Sequence, residues 1–230
     1  VIEDNFVAGR PAWELAGAEL VADVVPFEEM KLRMLNGSHS FLAYLGYLAG
    51  YQHINDCMQD QNYRRAARSL MLSEQAPTLK VQGVDLERYA GLLIDRYSNP
   101  ALKHRTWQIA MDGSQKLPQR MLDSVRWHLA QRTDFSLLAM GIAGWMCYVG
   151  GVDEQGQAIE ICDPLLPVIQ QAVQNSAEGP ERVKALLGIE AIFGRDLPQN
   201  GRFVDAVTSA WLSLKARGAK ATVAAWAQTH

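Results

Sequence analysis

Residues 135–149, FSLLAMGIAGWMCYV, place no charged side chain in 15 positions. The run falls short of the roughly 20 apolar residues that span a bilayer. As a helix it is apolar on every side, so other elements must enclose it. Its glycines and Trp145 suit a core helix packed closely against neighbours. Asp134 is expected to cap it, and Gly150-Gly151 to stop it. A chain built around such a helix needs several more helices to surround it.

The flanking sequence supplies them. Pro26, with Glu28 and Glu29 in the first turn, starts a helix that reaches about Gly50. A second runs from about His53 to Leu72, with Arg64, Arg65 and Arg68 on a solvated basic face. Asp85 opens a third, which closes before Asn99-Pro100. A fourth runs from near Pro100 to the Asp112-Gly113 turn, and Pro118 starts a fifth. After the turn-rich Val152 to Gly156 come helices near 164–175, 180–193, 202–217 and 219–228. Only Glu19 to Val25, and Val1 to Phe6, look extended. The expected fold is a single, mainly α domain.

Composition excludes several classes of function. The 22 Lys+Arg against 25 Asp+Glu leave a net charge of -3. A nucleic-acid or membrane-surface protein would show a basic excess. Cys57, Cys147 and Cys162 are too widely spaced for a disulfide framework or a metal knuckle, which points to a reduced, cytoplasmic setting. His53 and His104 are expected on helix surfaces or in local hydrogen bonds, and His128 in a structural role. There is no GxGxxG, GxxxxGK[ST], HExxH or GxSxG, so no nucleotide site is expected within this chain. The start at Val1, without Met, suggests a piece of a longer protein.

The stretch that carries chemistry is Glu28 to His39, EEMKLRMLNGSH. On an α-helix at about 100° per residue, with Lys31 at zero, Glu28 falls near 60°, His39 near 80° and Asn36 near 140°. Met34, Phe41, Leu45 and Leu48 gather on the opposite side. Leu32 and Leu35, lying among the polar four, would line a pocket. A lysine among apolar neighbours loses solvation, and its pKa falls toward neutrality. Such a lysine exchanges a proton with a substrate hydroxyl. Asn36 can donate to an oxygen that gains negative charge. His39 can hold a neighbouring hydroxyl, and Glu28 can relay protons to solvent. On spacing alone a solvated polar face is the simpler reading. A helical interaction domain without chemistry stays open at this point.

The same residues carry a resemblance. Lys31-Leu-Arg-Met-Leu-Asn36-Gly-Ser-His39, read as KxxxxNxxH, resembles the signature of the mannitol dehydrogenase family, the polyol-specific long-chain dehydrogenases. VIEDNFVAGRP at the start resembles that family's entry into its C-terminal domain. Asp112 to Pro118 resembles its DGSxK[IL]P segment, and HRTWQIAMDGSQKLPQRM is similar to the hexuronate branch. Beyond about residue 150 only helical character and Cys162-Asp163-Pro164 fit.

The resemblance implies a two-domain, NAD-dependent dehydrogenase without a metal. This chain, 1–230, would be its multi-helical C-terminal domain, of the kind found in 6-phosphogluconate dehydrogenase. An N-terminal Rossmann domain outside the chain would hold NAD. Lys31 would be the general acid/base, Asn36 would position the reacting oxygen, His39 would bind substrate hydroxyls, and Lys116 would lie in the substrate pocket. The substrate would be a sugar acid of the fructuronate/mannonate type, with tagaturonate or a neutral polyol such as mannitol as alternatives. Polyol-oxidising members carry Arg four residues before the Asp of DGSxK, where this chain has Gln108. The hypothesis that follows is that Arg105 or Lys116 meets the sugar-acid carboxylate. The plain alternative for Arg105 is a surface ion pair.

Overall fold

A computed structural model describes residues 1–229. The segment before residue 25 holds two short strands, β1 (Ile2–Glu3) and β2 (Leu20–Val21), paired in parallel with Ile2 opposite Leu20. The extended stretches expected there shrink to these four residues. A 3-10 turn, Trp13–Ala16, lies between them. Everything after is helical or connecting chain, as the sequence leads one to expect.

The first long helix, α1, covers residues 25–48. It is α-helical over Val25–Met30, π-helical over Lys31–Gly37 and α-helical again over Ser38–Leu48. Next come α2 (Ile54–Gln59) and α3, residues 61–75, whose last part, Leu70–Gln75, is again π-helical. The single second helix expected from His53 is thus divided. Asp60 is extended (φ -82°, ψ 114°), and its carboxylate caps the new start by accepting from Asn62 N. Leu86–Ser98 is α4, capped by Asp85, and Thr106–Ala110 is α5. Pro100 starts no helix: a turn with Lys103 at φ 44° precedes α5.

Gly113–Leu117, Pro118–Leu122 and Asp123–Gln131 run on as one helix, α6, with a π turn in the middle. Pro118, expected to begin a helix, instead opens that π turn. The apolar run is α7 (Ser136–Tyr148). It is followed by α8 (Leu166–Gln174), α9 (Pro180–Leu187), α10 (Glu190–Phe193) and α11 (Gly201–Thr229). The last is kinked at Gly218, whose φ of 80° and ψ of 164° break it where two helices were expected.

The core forms around α7. From 137 to 149 every residue is buried except Cys147. The helix packs against α11 on one side and the Ser38–Leu48 part of α1 on the other. A methyl group at Gly144 would lie 2.8 Å from Leu45 Cδ2, so glycine permits the close approach of α1 and α7. No helix among the described residues is long and apolar enough to cross a membrane.

The cap of α7 differs from the expectation. Asp134 accepts from Ser136 N at 3.3 Å and from the Ser136 hydroxyl. The next two donors, Leu137 N and Leu138 N, go to the carboxylate of Glu74, each at 2.8 Å. Glu74 is buried at the end of α3, so a distant helix seals the start of the core helix. Burial pushes its carboxyl up to about 7, against the pull of those two N–H donors. His128 anchors the same corner. Its ring nitrogens meet Glu74 O at 2.6 Å and the Thr133 hydroxyl at 2.7 Å, a structural role.

Glu74→Ala leaves two buried N–H groups unpaired and should lower stability by about 2 kcal/mol. That corresponds to a fall in the melting temperature of about 4–8 °C. Asp134→Ala, at an exposed position, should cost less than half as much. Thermal melts of the two variants against the parent check the ranking.

Candidate active site

The π turn at Lys31–Gly37 decides how the polar residues of α1 are presented. In an α-helix, residues five apart sit about 140° from one another. In a π turn the backbone bonds reach back five residues, so such a pair comes closer to overlying. Lys31 and Asn36 are five apart. The angles expected for a regular helix are therefore corrected, and the π turn draws the lysine and the asparagine toward one line.

The turn fits its surroundings because of Gly37. A Cβ there would lie 2.7 Å from the Arg120 carbonyl oxygen and 2.8 Å from Gln75 Nε2. Gln75 ends the π turn of α3, and Arg120 lies inside the π turn of α6. All three π turns thus meet at Gly37. Gln75 Nε2 donates to the Arg120 carbonyl at 2.9 Å, and Gln75 Oε1 accepts from the Ser124 hydroxyl at 2.6 Å. Ser38 Oγ donates back to the Met34 carbonyl and lies 2.9 Å from the Tyr97 hydroxyl. Tyr97 donates to the Leu35 carbonyl at 2.6 Å.

Tyr97 in turn braces His39. The two rings stack with centroids 5.1 Å apart and planes 15° apart. His104 stands on another side, its ring centroid 5.4 Å from that of His39. His39 Nε2 is buried and has no hydrogen-bond partner among the described residues. Burial, with His104, Arg120, Arg96 and Lys116 nearby, holds its pKa down at about 3. The imidazole is neutral at physiological pH, so one ring nitrogen accepts and the other donates. Asn36 is half-buried beside it on α1.

Lys31 and Glu28 are exposed. The apolar surroundings expected for Lys31 are not supplied by the described residues. Lys116 is half-buried, and its ammonium donates to the Met111 carbonyl at 2.6 Å and the Ile109 carbonyl at 3.4 Å, with Asp112 at 3.8 Å. It clasps the end of α5, and burial together with Arg120 lowers its pKa. It lies close enough to act electrostatically on His39.

The DGSxKLP segment has a clear physical basis. Asp112 is left-handed (φ 56°) and opens α6. A side chain at Gly113 would collide with Trp145 Nε1 and the Tyr44 hydroxyl. Ser114 gives both its N–H (2.8 Å) and its hydroxyl (2.5 Å) to Asp163. The Cys162 carbonyl also accepts from Asp112 N at 2.9 Å, so Cys162-Asp163 is the tether of this turn.

Arg105 is placed differently from the expectation. It precedes α5 in extended conformation and bridges to His53. Successive side chains of extended chain point to opposite sides. His104 is the one that meets His39, while Arg105 lines an open hollow of about 640 Å³ with Tyr47, His53 and Trp107. Lys31, Asn36 and His39 are not among the residues lining that hollow. Gln108 is exposed on α5.

Sequence reasoning missed Arg120, Tyr97 and the contact of His104 with His39. The signals available were a Gly-Ser pair inside the first helix and a proline inside the sixth, both at π turns.

The mannitol dehydrogenase C-terminal domain matches residues 23–215. The chain is 78% identical to the uncharacterized oxidoreductase YdfI of Escherichia coli K12, over 97% of this chain and 46% of that protein. It is 62% identical to D-mannonate oxidoreductase of the same organism, over 98% of this chain and 46% of that protein. Among solved structures, the ternary complex of Pseudomonas fluorescens mannitol 2-dehydrogenase with NAD and D-mannitol superposes with a TM-score of 0.91 at 35% identity. It covers all of this chain, which spans 46% of that one. The chain thus spans under half the length of these relatives.

Because His39 is held neutral, its stability effect has a definite sign. Between about pH 6.5 and 3 the unfolded chain binds a proton at this residue that the folded chain refuses. Its contribution is complete above pH 6.5 and is lost as the pH falls toward 3. NMR of the His39 ring should show no protonation from pH 8 to about 4.5. A titration midpoint near 6.5 would refute the burial argument.

Proposed function

The chain belongs to the mannitol dehydrogenase family, as its C-terminal domain, and from that premise we propose that it is the catalytic half of an NAD-dependent dehydrogenase interconverting a keto sugar acid and its hydroxy acid, of the D-fructuronate/D-mannonate type. The observation that carries the reading is the edge of α1. It presents an exposed lysine, a half-buried asparagine and a neutral histidine with an unpartnered Nε2. Such a set handles one alcohol or carbonyl oxygen: one group moves its proton, one steadies its charge, one orients it.

Lys31 protonates the oxygen as a keto carbon is reduced and takes the proton back in the reverse direction. Asn36 donates to that oxygen while it carries negative charge. His39 binds a substrate hydroxyl through its neutral imidazole, and Tyr97 keeps its ring in place. Glu28, three residues before Lys31 and exposed, passes protons to solvent. The cofactor supplies hydride when bound. The chain spans 46% of the length of its relatives, and in this reading an N-terminal Rossmann domain holds NAD and residues 1–230 form the helical partner. Its docking over Lys31 strips water from the ammonium, the condition under which a lysine works as a base. Three free cysteines agree with the cytoplasm as its compartment.

A sugar acid is favoured over a neutral polyol because Arg120, Arg96 and Lys116 all place positive charge around His39. Lys116 takes the carboxylate-facing role in preference to Arg105, whose side chain serves the other hollow. Altronate-forming reduction of tagaturonate fits the same features, and mannitol oxidation fits them less well.

Purified full-length enzyme should reduce D-fructuronate with NADH at a kcat/KM about tenfold or more above that for D-fructose, the worth of one buried charge-assisted contact. Residues 1–230 alone should turn over neither. Equal rates on acid and neutral sugars, or activity in the isolated chain, would overturn the reading.

A further inference from the structure

Arg120 enters the scheme above only through its charge, yet it touches the elements that carry the site. Its Nη1 donates to the Ser40 hydroxyl at 2.9 Å and reaches the Asn36 carbonyl at 3.5 Å. Its backbone carbonyl receives Gln75 Nε2 and lies against Gly37. Both ends of one residue are therefore fastened to the π turn of α1: the guanidinium on the side of Asn36 and Ser40, the carbonyl at Gly37. The guanidinium is half-buried, and its Nε is buried with no partner. A buried guanidinium with an unused donor is expensive to maintain. Burial moreover lowers its pKa, opposing the charge it carries.

We propose that Arg120 is a positioning residue: clasping Asn36 and Ser40 through its side chain and Gly37 through its carbonyl, it fixes the π register of α1 and so the aim of Asn36 and His39. The proposal rests on the functional reading above and deepens it.

The reasoning is geometric. A π turn is rarer than an α turn, and α1 reverts to α-helix on both sides. Returning residues 31–37 to α-helical bonding would rotate Asn36 away from Lys31 by the difference between the two spacings. It would also move Gly37 off the Arg120 carbonyl. Ser40 lies one residue beyond His39, so the bond from Arg120 holds the backbone on the far side of the histidine as well. Lysine is a poor substitute, since its flexible stem and freely rotating ammonium do not hold one nitrogen fixed between the Ser40 hydroxyl and the Asn36 carbonyl as the planar guanidinium holds Nη1. Misplacement of a reacting group by about 1 Å is enough to cost about 100-fold in rate.

The test uses the full-length enzyme and two readouts. Arg120→Met should lower kcat for sugar-acid reduction by about 10- to 100-fold and leave KM for NADH within about twofold. In the same variant, amide hydrogen exchange over residues 31–40 should speed up, while exchange across α7 stays at the parent level. Arg120→Lys, with the charge but not the rigid planar group, should recover less than half of the lost kcat. Unchanged kcat overturns the proposal, as does full recovery by lysine, which would make charge alone responsible. A fall in kcat without faster exchange at 31–40 also overturns it, since Arg120 would then touch substrate and not position the helix. If the parent enzyme reduces no sugar acid or polyol, the functional reading fails, and the exchange measurement alone still decides whether Arg120 fixes the turn.

Discussion

Gly37 lies so close to the Arg120 carbonyl and the Gln75 side-chain amide that no larger residue fits. That contact holds three π turns, from α1, α3 and α6, in one place. Helices that meet through side chains stay 8–10 Å apart. Where a glycine removes the side chain, the backbones approach further, and hydrogen bonds from Gln75 and Arg120 can run between them. The local widening of each helix is maintained by its neighbours. This is why π turns persist here although they are uncommon in isolation. The edge of α1 that bears Lys31, Asn36 and His39 inherits its shape from this contact.

The remaining architecture supports that edge from behind. Helix α7, apolar on all sides, is closed off at its start by Glu74, the residue just before Gln75. The same end of α3 therefore serves the core and the site. Trp145 and Tyr44 fill the space behind Gly113 and so fix the DGS turn, while Asp163 holds Ser114 from the other side. Lys116 is pinned to the end of α5 by the carbonyls of Met111 and Ile109. Its charge reaches His39 from a fixed position. In the proposed function it selects the anion, and the proton falls to the exposed lysine, Lys31.

Much of this was legible in the sequence, for identifiable reasons. Helices announced by Pro26, by the Asp85 cap and by the Gly150-Gly151 stop were found, because those signals act locally, whereas Pro100 and Pro118 marked no helix start. The kink at Gly218 fell where a glycine separated two amphipathic stretches. The polar set on α1 stood out by its spacing, and its resemblance to a family signature pointed to the family whose C-terminal domain matches the chain. What stayed hidden depends on contacts distant in sequence. The cap from Glu74 comes from 63 residues before Leu137. Asp60 reads like an ordinary helical position, yet its extended backbone breaks α2 from α3. The π turns left only a glycine and a proline inside helices as traces, and a uniform 100° per residue misplaced Asn36 for that reason. Arg105 was a candidate for the sugar-acid carboxylate, but it precedes α5, and extended geometry sends its side chain to the opposite side from His104.

The account stands or falls on Lys31 as the group that moves the proton. The direct measurement is the pH dependence of kcat for sugar-acid reduction by the full-length enzyme, with and without Lys31→Ala. The expected result is a loss of about 10²- to 10⁴-fold in the variant together with disappearance of the limb that reports the lysine. A variant whose kcat and pH profile match those of the parent would contradict it, and the proton would then have to be handled elsewhere.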